Sequence, residues 1–165
     1  MRVVGIDPGT ATTGYGVIEE SAGKLTLIAF GTVCTGAELP MPRRLLDLHD
    51  RLTELLALHM PDTAAVESLF FQKNVRTAIT VGQARGVILL TLARGGVPVS
   101  EYTPQEIKQA VAGYGGAEKR QVQAMVRALL ELQETPKPDD AADALAVAIC
   151  HAHSYKMMHL AAEAK

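Results

Sequence analysis

An α/β fold, with a five-stranded mixed sheet flanked by helices, is the class this sequence predicts, and three observations lead there. Short runs rich in β-branched residues recur at strand length, as in residues 2–7, 25–34 and 63–67. Stretches with apolar residues three and four apart lie between and after them, as in residues 42–59 and 76–94. The first three strand segments follow one another with only turns between, whereas the later ones are separated by helices. Hairpin-linked strands run antiparallel, and helix-linked strands cross over to run parallel.

Each element has its own justification. Residues 2–7 form a short apolar run closed by Asp7, and Gly9 and Gly14 are expected to punctuate the turn after it. Residues 15–19 and 25–34 should pair as a hairpin about Ser21-Ala22-Gly23. Pro42 opens a helix whose stripe is Leu45, Leu48, Leu52, Leu55 and His59, and Pro61 closes it. Residues 63–67 read as a fourth strand, again ending in an acid, Glu67. Residues 76–94 form a long helix in which Ala78, Gly82 and Gly86 share one face, open to the close approach of another backbone. Residues 97–102 are the fifth strand. Helices over 104–112 and 119–130 follow, the second with a core stripe of Val122, Met125, Val126 and Leu129. A last helix starts near Asp139, after Pro136 and Pro138, and runs at least to His151. This order fits a ribonuclease H-like sheet, although order alone does not identify function.

The bulk properties set bounds. At 165 residues, 48% apolar and 21% charged, the chain suits one ordinary globular domain, expected over 1–155 with a short C-terminal tail over 156–165. No apolar run approaches the ~18 residues of a membrane span. Asp7 interrupts the apolar start, so the first residues read as a strand and not as an export signal. Cys34 and Cys150 lie in apolar surroundings and are expected as buried free thiols, which places the protein in a reducing cytoplasm. The net charge of -2 counts against a uniformly basic nucleic-acid binder. A cluster of metal-binding carboxylates would mask grouped positive charge in that sum, and bound cations would reverse the local sign.

Such a cluster is visible. Asp7 and Glu67 each end a strand, and open α/β sheets bind ligands beyond the carboxyl ends of their strands. Asp140 and Asp143, three apart, share a face at a helix start. Singly these acids have ordinary explanations, since Asp140 could cap its helix and Asp7 could begin a turn before Pro8 and Gly9. Together, without a cation, they would repel one another. Oxygen-only donors of this kind suit a hard divalent ion, Mg²⁺ or Mn²⁺, and two such ions about 4 Å apart would serve phosphodiester hydrolysis.

The chain is identified here by resemblance to a known family. Ile6-Asp7-Pro8-Gly9 with Thr13-Gly14-Tyr15-Gly16-Val17 resembles the opening of the RuvC Holliday junction resolvases. So do Gly82-Gln83-Ala84-Arg85-Gly86, Ala117-Glu118-Lys119 with Gln121-Val122 and Met125-Val126, and Asp140-Ala141-Ala142-Asp143-Ala144-Leu145-Ala146. The matches run in order from Gly5 to about His153. The resemblance implies a ribonuclease H-like nuclease, a homodimer that makes paired symmetric cuts across four-way junction DNA, and a branch-migration motor as partner. It carries the four catalytic, metal-binding acids onto Asp7, Glu67, Asp140 and Asp143. Asp139 is an alternative to Asp140, which the three-residue spacing to Asp143 favours. The resemblance also marks Lys119 as catalytic and as a DNA contact, and Lys108 as a basic residue near the DNA. By its sequence context alone Lys108 could equally be a surface residue paired with Glu106 or Glu101.

The segment after Glu67 holds Phe70, Phe71, Lys73, Asn74 and Arg76. Aromatics beside cations suit a loop that stacks on bases at an open crossover, worth about 1–3 kcal/mol per base. Packing in a core or dimer interface would account for one phenylalanine. The resemblance places Phe70 at the junction, with Lys73, Asn74 and Arg76 as neighbouring DNA contacts. Arg85 and Arg120 would add to the grouped positive charge. The Cys150-His151-x-His153 spacing is not a common zinc pattern, so a surface or packing role is expected of the histidines. Residues 113–119 lack the Gly-Lys-Ser/Thr ending of a phosphate loop. A sugar kinase or actin-like ATPase shares an Asp-x-Gly-Thr turn, but needs a second Asp-x-Gly, and none occurs. A non-enzymatic DNA-binding scaffold would need no acids at its strand ends.

Overall fold

A computed structural model describes residues 1–68 and 75–163, the last with backbone only for 75–77 and 156–163. The elements are β1 (Arg2–Asp7), β2 (Thr12–Ser21), β3 (Lys24–Cys34), α1 (Met41–His59), β4 (Thr63–Glu67), α2 (Val75–Arg94), β5 (Val99–Tyr102), α3 (Pro104–Ala112), α4 (Lys119–Leu129) and α5 (Asp139–Glu163). The sheet order is β3-β2-β1-β4-β5. The β1–β2 and β2–β3 pairs are antiparallel, and β1–β4 and β4–β5 are parallel, as the spacing of strands and helices predicts.

Helices cover both faces of the sheet, and this is why its inner strands are almost continuously apolar. Along β1, Val3 joins one core with Ala146, Ile149 and the inner residues of α3 and α4. Val4 and Ile6 join the other with Leu48, Leu52, Ile88 and Leu92 of α1 and α2. Along β4, Ala65 faces the first core, and Ala64 and Val66 the second. Side chains alternate across a strand. The acids at Asp7 and Glu67 therefore continue the rows of Val3 and Ala65 and emerge on the α5 face.

Several local expectations need correction. β2 begins at Thr12, so Gly14 is a strand residue paired with Asp7 and not part of a turn. The hairpin turn lies where expected, at Ala22 and Gly23, whose φ values of 53° and 86° match the paired left-handed residues of a tight hairpin turn. β5 starts at Val99 because Pro98 lacks the N–H a ladder needs. In α4, Met125 is exposed, whereas Val122 and Val126 are buried and Leu129 packs against the same core, as expected. Cys34, on edge strand β3, is exposed, and only Cys150 is a buried thiol. α5 continues to Glu163, past residue 156, where the C-terminal tail was expected to begin.

Candidate active site

The site is assembled by a close helix-on-sheet contact. A Cβ at Gly14 would fall on the carbonyl oxygen of Asp140, and one at Gly5 on the carbonyl of Ala144 and the backbone nitrogen of Ala148. At Gly16 it would meet the side chain of Leu145. The facing helix is as bare as the strands, with Ala141, Ala144 and Ala148 fully buried. Glycine in a strand marks a close backbone approach. Here it lowers the first turns of α5 onto the ends of β1 and β2, which brings Asp140 and Asp143 over Asp7.

β4 supplies the next acid. Ile6 is in register with Val66, so Asp7 and Glu67 stand side by side, and their side chains are hydrogen-bonded. Burial, then the charges of Glu67 and Asp143, push Asp7 up to about 8. Glu67 is also raised, chiefly by burial, while the bond from Asp7 and the charges of Lys108 and Lys119 work against that rise. Burial and mutual repulsion thus favour a proton shared between Asp7 and Glu67. Asp140 contributes to the repulsion felt by both Asp7 and Asp143. The Asp139 side chain points elsewhere, accepting from Gln123 Nε2 at 3.1 Å and pairing with Lys119 at 3.1 Å. Asp140 adds to the charge that raises Asp7, whereas Asp139 and Asp140 both act on Asp143, and Asp139 shares Lys119 with it.

Lys119 opens α4 and lies 2.9 Å from Asp143 Oδ2. Burial disfavours its charge, but the bonds to Asp143 and Asp139 outweigh that and raise its pKa. Asp143 is raised by burial despite this lysine. With Asp143 turned toward Lys119, no three acid, imidazole or thiol groups among the described residues converge tightly enough to hold an ion. Lys108 joins Glu67, Lys119 and Asp143 in lining a cleft of about 250 Å³. Neither anticipated partner takes it, since Glu106 closes the capping box of Thr103 and Glu101 pairs with Arg85. Arg85, expected in the grouped positive charge, is thus paired with Glu101.

Phe70, Lys73 and Asn74 lie outside the described residues, as does the side chain of Arg76, whose backbone is in the first turn of α2. Two supports of the site were not read from the sequence. Arg44 donates to the Thr10 carbonyl at 2.9 Å and to Thr35 Oγ1 at 3.0 Å, while Thr35 donates to the same carbonyl at 2.7 Å, strapping the loop after Asp7. Gln123 donates to Asp139, which in turn pairs with Lys119. The glycine rail did leave a signal, since Gly14 and Gly16 are two apart and Ala141, Ala144 and Ala148 are three and four apart.

The family model described as "Crossover junction endodeoxyribonuclease RuvC" matches residues 3–151. A relative of that description from Syntrophomonas wolfei is 59% identical over 157 residues, 95% of this chain and 91% of the relative. The structure of Thermus thermophilus RuvC superposes with a TM-score of 0.88 at 41% identity, covering 95% of this chain and 96% of that one. T. thermophilus RuvC in complex with a Holliday junction substrate superposes with a TM-score of 0.87 at 38% identity and the same coverage.

Proposed function

Since the chain belongs to the RuvC family of crossover junction endodeoxyribonucleases and has their ribonuclease H-like fold, we propose that it resolves Holliday junctions by paired symmetric hydrolysis at a two-metal site. The pairing of Asp7 with Glu67 at adjacent strand ends, beneath the first turns of α5 that carry Asp140 and Asp143, supports this reading. Burial, and then the charges of the neighbouring acids, push Asp7 up to about 8, so these carboxylates are poorly matched to one another and suited to divalent cations. Their oxygen-only donor set fits Mg²⁺ or Mn²⁺. Bound there, two ions would supply a water nucleophile and neutralise the attacking and leaving oxygens of the phosphodiester.

The remaining steps belong to the chain. Asp7 must release its proton before it can serve as a ligand, and the adjacent positive charge of Lys108 and Lys119 at Glu67 favours the ionised pair. Lys119, held at Asp143 and Asp139, is placed to neutralise a phosphoryl oxygen entering the cleft. Lys108 lines the same cleft and would bind the flanking backbone. Phe70 stacks on a base at the crossover, with Lys73, Asn74 and Arg76 on the neighbouring phosphates.

Paired cuts require two sites, hence a homodimer. An open face of α2 supports this, because Ile79 and Leu90 are 59% and 57% exposed and, among the described residues, no neighbouring group lies within 4 Å of a Cβ placed at Gly82 or Gly86. The work of such an enzyme lies in recombination and repair in the cytoplasm, alongside a branch-migration motor. No helix among the described residues is long and apolar enough to cross a membrane.

The test is cleavage of a synthetic four-way junction with Mg²⁺ or Mn²⁺ by the natural chain and by Asp7→Asn. We expect paired metal-dependent nicks, a loss of at least about a hundredfold in the variant, and retained junction binding. Equal cutting of linear duplex would reject the junction preference, and equal activity of the variant would reject the site.

A further inference from the structure

The outward face of α4 carries cations that the carboxylate site does not use. Arg120, Gln123, Arg127, Ala124 and Ala128 line one groove of about 550 Å³, together with Glu131 at its far end. Their spacing of three, four, seven and eight from Arg120 puts them on a single helical face. Both arginines are exposed, and neither enters an ion pair among the described residues. The acid in the groove is already engaged, since Glu131 is 3.1 Å from Lys24 Nζ. Ala124 and Ala128 are exposed and leave the floor between the arginines low.

This groove begins where the active site ends. Lys119 immediately precedes Arg120, and Gln123 on the groove wall donates to Asp139, which in turn holds Lys119. Seven residues of helix separate the two arginines by about 10 Å along the axis, roughly three nucleotide rises on one strand. Guanidinium groups suit phosphate oxygens because they offer several donors in one plane. We propose that this face of α4 is a phosphate track, in which Arg120 and Arg127 hold the backbone of one junction arm as it leaves the carboxylates. The assignment rests on the reading of the protein as a junction nuclease and adds Arg127, together with a direction for the arm.

The experiment measures junction affinity in EDTA across a series of salt concentrations. It uses the Asp7→Asn chain and the same chain carrying Arg120→Gln, Arg127→Gln or Arg127→Lys. Each phosphate contact contributes about 0.9 to the slope of log affinity against log salt. Each glutamine variant should therefore flatten the slope by about one, while Arg127→Lys keeps it and thermal midpoints stay unchanged. Tight binding by the Asp7→Asn chain with an unaltered slope in both glutamine variants would overturn the track and leave the nuclease reading intact. Failure of the Asp7→Asn chain itself to bind the junction would overturn the nuclease reading, and the track with it.

Discussion

His151 is 1% exposed, and both of its ring nitrogens are engaged. Thr63 Oγ1 donates to the Pro98 carbonyl at 3.2 Å, so it accepts from His151 Nε2 at 3.1 Å, and Nδ1 must then accept from the Tyr102 hydroxyl at 2.9 Å. Burial lowers the pKa of this ring from its ordinary 6.5. A histidine lowered in the folded state binds its proton more readily when unfolded. Its contribution is thus complete above pH 6.5 and is lost as pH falls from there through the lower folded value. Urea midpoints measured from pH 8 to pH 5 should fall on the acid side, and fall less in His151→Gln; parallel curves would contradict this. The sequence suggested no such partners, because Thr63 and Tyr102 lie 88 and 49 residues away. Asp7 and Glu67 were legible for the opposite reason. Their position at strand ends and their two-residue alternation are local properties, and β1 and β4 needed only to be neighbours. Cys34 was misjudged because its apolar neighbours in sequence occupy an edge strand, where alternate side chains meet solvent.

At the level of elements, α5 is the part that sets the site. Its first turns rest on Gly14 with no space for a Cβ, and the atom in the way is the backbone carbonyl of Asp140. Gly14→Ala should lift that end of the helix, cost about 1–3 kcal/mol, and separate Asp140 and Asp143 from Asp7. Cleavage should fall more than tenfold even well below the melting temperature. A variant that melts lower but cuts normally would show that the acids tolerate the displacement. Periodicity made α1, α2 and the strands readable, and the Thr103-Pro104-Gln105-Glu106 sequence contains the capping box that starts α3. What misled was glycine. In isolation it signals a turn, and only the alanines of α5, more than a hundred residues later, explain Gly14 and Gly16 as bearing surfaces.

Across the whole molecule, charge and oligomeric state are matters of distribution. The net charge of -2 sums carboxylates gathered at one end of the sheet with arginines on the outside of α4, and the sum describes neither. Arg85 could not be recognised as neutralised, because its partner Glu101 belongs to a different element. With the proposed homodimer formed through the open stripe of Ile79, Gly86 and Leu90 on α2, Leu90→Asp is expected to leave the 17.6 kDa chain monomeric in sedimentation experiments. Stability should change little, because Leu90 is already 57% exposed. A chain that sediments as a monomer before substitution would remove α2 as the contact. The glycine rail also bears on the protein's descent. A side chain gained at Gly5 or Gly14 meets backbone atoms, which no second-site substitution can trim away. Suppressor mutations at the point of contact are therefore closed to both positions, and relatives that keep α5 in this place would have inherited the bare strands along with it.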